Sequence, residues 1–479
     1  METRSRGMSQ GDDDTSAAPV SRTTASALST RTCLGYGIGG VLDQWGNYGI
    51  KGTANQMLNL IAGMNPAVVS VVFALARVYD AVVDPYVGYL SDRSQSRWGR
   101  RRPFVLTGGL ACAMVFPFLW WMPEALGKTG QVVWIAIVVM LFYTAFAAYS
   151  VPFRAMGYEI AARSQDKTRL IGYRQMFAVV SVLMMWWVFP LAQTGWLGTP
   201  RESVPWIALS VALILATACL GPAFFTNEDH RLEQAKSAGR TSLLASAAAS
   251  FANPQCLRIV LSAGVSGIGY TLAAAMSSYI TIYYTCSGDA RRAAPYIAGY
   301  GAVATLMALI SPQAVTAMAR GLGKVPLLRL CLWVNLGGSV MKWYLFNDVR
   351  PWLQVLTPLV TMPSAVGITM MQESLLGDVA DCERHATGRR LEGAFAASYG
   401  WMTKACSSLA FGLSGFAIVW TGFDVAFGAN QPPSTMFWMR VCFVVFPAAG
   451  VLVAYLLVRR LPITSGLMDR INRELAGHH

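Results

Sequence analysis

Of 479 residues, 54% are hydrophobic and only 13% are charged, with a mean hydropathy of +0.42. Soluble domains carry about a quarter charged residues, so this balance excludes a soluble globular enzyme. The formal charge of +13 sits in short loops between apolar runs and forms no continuous basic face, which excludes nucleic acid as a partner.

Residues 1–31 are rich in Ser, Thr, Asp and Arg and hold no apolar core segment, which reads as a disordered cytoplasmic tail and not as a cleavable signal. Apolar runs follow at 33–62, 66–92, 103–124, 132–160, 170–196 and 205–225, then at 255–286, 294–318, 325–346, 351–378, 393–422 and 433–458. Each is long enough to cross a hydrocarbon core as a helix. The expected fold is therefore an all-α membrane protein of twelve transmembrane helices. A six-helix bundle over 32–226 and a second over 255–460 flank a polar cytoplasmic linker, 227–254, and a cytoplasmic tail, 461–479, ends the chain.

Alternate loops differ in positive charge. One set holds Arg93, Arg97, Arg100, Arg101, Arg102, Arg163, Lys167, Arg169, Arg320, Lys324, Arg384, Arg389 and Arg390; the other has only Lys128, Arg201, Arg291, Arg292 and Arg350. Lys and Arg are retained on the cytoplasmic side, which places both termini there, in a multi-pass plasma membrane protein (the inner membrane in a bacterium) surrounded by lipid. Trp120, Trp121, Trp196, Trp206, Trp352 and Trp438 at the opposite span ends read as an interfacial belt. The halves echo each other: AMGYEIAARSQDKTRLIG after the fourth span is answered by LLGDVADCERHATGRRLEG after the tenth. Parallel repeats of this kind build transporters.

Nine cysteines are scattered without a CxxC pair, and His230, His385, His478 and His479 form no cluster. Neither a disulfide framework, a metal site nor a catalytic constellation is indicated, and no cofactor is expected. The informative residues are charges inside apolar spans, each costing a few kcal/mol to insert. Arg77, Asp80 and Asp84 fall at i, i+3 and i+7, on one face of the second span. Two carboxylates there suit a cation site, because they offer oxygens to Na⁺ and, withdrawn from water, hold a proton more readily. A lone buried Arg–Asp pair would be read as helix packing; the second acid favours function. Asp43, Lys51, Arg154, Arg174, Gln372, Glu373 and Lys404 are the other interior candidates, with Glu373 and Lys404 deep enough for a solute site. Asp92, Arg93, Arg97, Arg101, Glu159, Asp378 and Arg389, near the cytoplasmic helix ends, read as a gate held by loop arginines. Tyr79, Tyr149, Tyr399 and Trp401 could stack on a sugar ring, although packing is the commoner role for such residues.

The stretch ARVYDAVVDPYVGYLSDRSQSRWGRRRPF (76–104), VPFRAMGYEI followed by TRLIGYR, and GDVADCERHATGRRLEG followed by TKACSSLAFGLSGF together resemble the glycoside-pentoside-hexuronide:cation symporters, a melibiose permease-like family within the major facilitator superfamily. The resemblance covers nearly the whole chain. It implies the major facilitator fold, two pseudo-symmetric six-helix halves working by alternating access, cation coupling through Asp80 and Asp84 with Arg77 as charge partner, and matching positions at Arg174 and Lys404. The family's sugar-binding acid on the first helix aligns with Gln44, or with Asp43 in a register shifted by one; its fourth-helix acid aligns with Ser150 and its fourth-helix tryptophan with Arg154. Neutral cation ligands of the family align with Val83 and Ala147, which favours H⁺ over Na⁺ as the coupling ion.

The expected protein is a monomeric symporter of a small sugar-like solute (a sugar, glycoside or uronide) with H⁺ or Na⁺. The alternatives are a cation-coupled transporter of a lipid or amphipathic anion, and a non-transporting membrane receptor or scaffold.

Overall fold

The computed structural model describes residues 28–94, 96–123, 125–160, 164–226, 252–387, 392–462 and residue 470. Both predicted tails and the linker fall almost wholly outside these residues, as does Arg389; the side chains of Asp92 and Glu159 are likewise not described.

Helical runs occupy the described residues in the expected order. The first, α1, spans residues 30–61, with α-helical stretches (Thr30–Ile38, Gly40–Gln44, Ile50–Ala54) alternating with π-helical ones (Trp45–Gly49, Asn55–Ile61). Then come α2 (Pro66–Arg93), α3 (Arg102–Val115, continued by a 3₁₀ turn Phe116–Leu119), α4 (Lys128–Ile160), α5 (Ser164–Gln193) and α6 (Pro200–Phe225). The second half has α7 (Pro254–Tyr279, ending in a π segment Ile280–Thr285), α8 (Ala290–Leu322), α9 (Lys324–Leu345), α10 (Thr357–Thr387, after a 3₁₀ turn Pro351–Leu356), α11 (Glu392–Trp420) and α12 (Pro433–Val458).

Local chemistry explains the starts. Asn65, Thr199, Asn253 and Asp289 cap α2, α6, α7 and α8, accepting hydrogen bonds from first-turn N–H groups that would otherwise be orphaned. Proline follows three of these caps, where its missing N–H costs nothing. Among the described residues, ten helices are long and apolar enough to cross a membrane. Of the other two, α1 is broken by π turns and carries Asp43, Gln44 and Lys51, and the 22-residue α9 carries Lys324, Arg329, Asn335 and Lys342.

Between helices in lipid, close backbone approach replaces the hydrophobic drive available in water. Gly108 of α3 illustrates it: a Cβ there would lie 2.6 Å from the Tyr149 backbone nitrogen, so α3 and α4 touch main chain to main chain. Trp120, expected in the interfacial belt, is instead 7% exposed and packs edge-on against Phe116 in the core of the first half. Trp121, Trp196, Trp206, Trp352 and Trp438 are exposed.

The halves meet at the end opposite the arginine-rich connections. Between α1 and α7, Gln56 Nε2 donates to Ser278 Oγ (2.7 Å) and Asn59 Nδ2 donates to the Tyr279 hydroxyl (3.0 Å). Between α2 and α11, Phe73 and Phe411 pack edge to face at 5.8 Å and Gly415 seats against the Pro66 carbonyl. Trp186 of α5 sits on Gly301 of α8 and against Tyr300 at 5.3 Å. Both π-helical ends, in α1 and α7, lie at this seam.

Candidate functional site

Below that seam, charged side chains from both halves face a shared space. On α2, the i, i+3 spacing brings Arg77 Nη1 to 3.0 Å from Asp80 Oδ2, with both residues buried and the guanidinium over the Tyr143 ring at 5.1 Å. One turn further, Asp84 forms no ion pair within 4 Å among the described residues. The Oδ1 atoms of both Asp80 and Asp84 are buried and accept no hydrogen bond there. Leaving such an acceptor unmet is costly, more so for a charged one.

The charges acting on Asp84 are, strongest first, Lys404 of α11, Arg154 of α4 and Arg77. Asp80 feels Arg77, Asp84, Lys404 and Lys51. The cluster therefore spans α1, α2, α4 and α11 and draws on both halves. Lys404 and Tyr48 are exposed although they act on Asp84 and Arg154 of this cluster, so a space reaching it is open. Glu373 of α10 and Tyr48 of α1 both act on Tyr399 of α11, so residues of both halves lie near one another there as well.

On α1, Asp43 Oδ1 accepts from Arg154 Nη2 (2.8 Å) and Nε (3.0 Å), and Asn47 Nδ2 approaches the same oxygen at 3.3 Å. Of the two α1 candidates, Asp43 is the one paired with a guanidinium, while Gln44 is its half-buried neighbour. Asn47 and Tyr48 were missed by sequence reasoning; the i, i+4, i+8 spacing of Asp43, Asn47 and Lys51 was the available signal.

Other predicted residues lie elsewhere. Gln372 is 1% exposed and donates to Ser262 of α7 at 3.0 Å, whereas its neighbour Glu373, about 100° round the helix, is exposed. Ser150 is buried within α4 packing. Tyr149, a candidate for sugar stacking, donates to the Gly39 carbonyl (2.7 Å) and stacks on Phe153 in the core. Tyr79 pairs its hydroxyl with Thr144 at 2.9 Å. Arg174 packs its stem and carbonyl against Gly40 of α1. At the basic end, Asp378 is held at 2.6 Å by Lys324, a lysine at the start of α9 and not one of the loop arginines expected. Asn253 bonds Glu383 beside it (2.8 Å). Arg93 lies over its own helix's Tyr89 ring at 4.2 Å, Arg97 is exposed and Arg101 is buried.

Known proteins resemble this chain in sequence and in fold. A family profile described as "MFS/sugar transport protein" matches residues 35–465. The putative glycoside/cation symporter YagG of Escherichia coli is 22% identical over 427 residues, 87% of this chain and 88% of that one. The glucuronide carrier protein homolog of E. coli is 22% identical over 452 residues, 94% and 96% of the two chains. The match to an uncharacterized symporter of Synechocystis, 25% identical over 217 residues, spans only 43% of this chain and 39% of that relative. In fold, the crystal structure of a D-xylose-proton symporter superposes with a TM-score of 0.62 at 14% identity, over 91% of this chain and 98% of the other. A profile match over nearly the whole chain, on a twelve-helix fold with a charged chamber between its halves, makes this a multi-pass membrane transporter and not an enzyme: it belongs to the MFS/sugar transport family of the major facilitator superfamily.

Proposed function

We propose that the chain is a secondary active symporter that moves a sugar-like solute together with one cation. The observation that carries this reading is the pair of α2 carboxylates, Asp80 and Asp84, whose buried Oδ1 atoms lack hydrogen-bond donors among the described residues, inside a charged cluster drawn from both halves. A bound cation supplies the missing partner. Six-helix halves over 32–226 and 255–460 rock about this chamber, which is closed at the seam and open toward the arginine-rich end. Both termini and that end face the cytoplasm, so the arrangement is inward-facing.

H⁺ is favoured over Na⁺. Apart from each other, the charged groups acting on the two carboxylates are Arg77, Lys404, Lys51 and Arg154, all cationic. A metal ion needs several oxygen ligands and is repelled by nearby cations, whereas a proton needs one carboxylate oxygen. Occupation of Asp84 relieves the attraction that Lys404 exerts across the halves, which is how cation binding is felt by the conformational equilibrium.

The test is Asp84→Asn in proteoliposomes. Concentrative uptake driven by an inward proton gradient should disappear while solute exchange persists. A variant that still accumulates solute against its gradient refutes the assignment, and uptake driven by a sodium gradient alone refutes the choice of ion.

A further inference from the structure

The symport reading, on which this assignment rests, leaves one charged group of the cluster unused: Lys51 of α1. Its direction is set by the helix backbone. At about 100° per residue, the eight residues from Asp43 to Lys51 would carry Lys51 about 80° past Asp43 after two turns of α-helix. Between the two lies the π-helical stretch Trp45–Gly49. A π turn closes over one residue more than an α turn and so takes back about 100° of phase, which leaves Lys51 within about 20° of Asp43. Gly49, at the end of that turn, has no Cβ to meet the indole folded over it; one would lie 2.6 Å from Trp45 Cδ2. Exposure agrees with this direction: Asn47 and Lys51 are half-buried and Tyr48 and Gly52 exposed, while Gly46, Gly49 and Ile50 are buried. The strip of α1 that holds the Asp43–Arg154 pair therefore carries Lys51 as well.

Lys51 meets the α2 pair. Arg77 and Asp80 act on it, as does Lys404 of the second half. Asp80 gives Oδ2 to Arg77 at 3.0 Å, whereas its buried Oδ1 accepts nothing among the described residues. Lys51 forms no ion pair within 4 Å among those residues. An ammonium on a flexible four-carbon stem, with three donors, can complete that carboxylate in the way a metal ion would. Ammonium and metal are then exclusive, because a further positive charge would sit among Lys51, Arg77 and Lys404 with only Asp80 and Asp84 to offset it.

We infer that Lys51 is the residue that bars metal ions from this site: its ammonium stands in for the metal at Asp80, and coupling is left to a proton on Asp84. A proton escapes the exclusion because it joins the Asp84 carboxylate as an O–H bond and needs no shell of oxygens.

The experiment measures cation binding by the purified full chain without solute. Melting temperature is followed as NaCl or LiCl replaces choline chloride at constant ionic strength and pH, for the wild type, Lys51→Met, Lys51→Gln and Lys51→Arg. A unit charge about 6–10 Å from a bound cation weakens binding roughly 15- to 100-fold at an effective dielectric constant of about 20. Lys51→Met and Lys51→Gln should therefore gain a stabilisation specific to Na⁺ or Li⁺, with an apparent Kd lower by that factor than any response of the wild type, while Lys51→Arg stays indifferent. Adding Asp80→Asn to Lys51→Met should abolish the gain. Neutral variants that remain indifferent to both metals, a wild type that responds as strongly as they do, or a gained response that survives Asp80→Asn each overturn the inference. It is equally overturned if neither neutral variant yields monodisperse protein, because Lys51 then serves the fold. None of these results bears on proton-driven uptake by the wild type, so symport itself stands or falls on the Asp84→Asn test.

Discussion

Gly301→Ala tests the seam with a single methyl group. A Cβ on Gly301 would lie 2.2 Å from both Cβ and Cγ of Trp186, about 1.3 Å short of ordinary carbon contact. The clash is with the root of the tryptophan, so no rotamer change relieves it; α5 and α8 must move apart. Overpacking of this kind costs about 1–3 kcal/mol, and the cost falls on the state in which these helices touch. At 1.4 kcal/mol per factor of ten, the equilibrium shifts toward the conformation open at the seam by roughly 5- to 150-fold. Ser277→Cys, at the small cavity between Trp186, Tyr300 and Gln354, is the reporter. With the seam-side face outward, its labelling by a membrane-impermeant maleimide should accelerate by that factor in the Gly301→Ala background, relative to the Ser277→Cys parent. Unchanged labelling in a protein with unchanged melting temperature would refute the idea that this seam is one side of a two-state equilibrium.

Ser278→Ala should act in the same direction: it strands Gln56, whose Oε1 already lacks a partner among the described residues, at about 1–3 kcal/mol, and the same labelling assay should register it. Gly108→Ala has no conformational escape, because its methyl meets the α4 backbone at 2.6 Å; a loss of about 3 kcal/mol should appear as reduced yield of monodisperse protein in detergent, and full recovery would show that α3 and α4 are not locked. Lys324→Met should be mild. The Lys324–Asp378 pair is short, but the lysine is 40% exposed, so less than about 1 kcal/mol is at stake, and a melting temperature lowered by many degrees would mean that the pair belongs to a wider latch.

Hydropathy and charge placement made the twelve spans legible because a bilayer imposes one rule on every crossing: backbone groups must bond within the segment, which demands a long apolar helix. The same rule exposed Asp80 and Asp84, since charge in such a run is too costly to be incidental. Gln372 and Glu373 were named together because composition cannot separate neighbours that point about 100° apart on a helix; in the structure Glu373 is exposed while Gln372 bonds Ser262. Trp120 misled for a related reason, since proximity to a span end does not reveal whether an indole turns toward lipid or toward Phe116.

The number of crossings, their order and the face carrying Arg77, Asp80 and Asp84 were determined by sequence alone, being matters of composition and helical period. Which charges neutralise one another was not. The Asp43–Arg154 pair joins residues 111 positions apart, and the influence of Lys404 on Asp84 crosses from one half to the other. Pairings of that kind depend on how helices rotate and tilt against each other, which small residues such as Gly301 and Gly415 settle through contact geometry; only the tertiary structure could decide them.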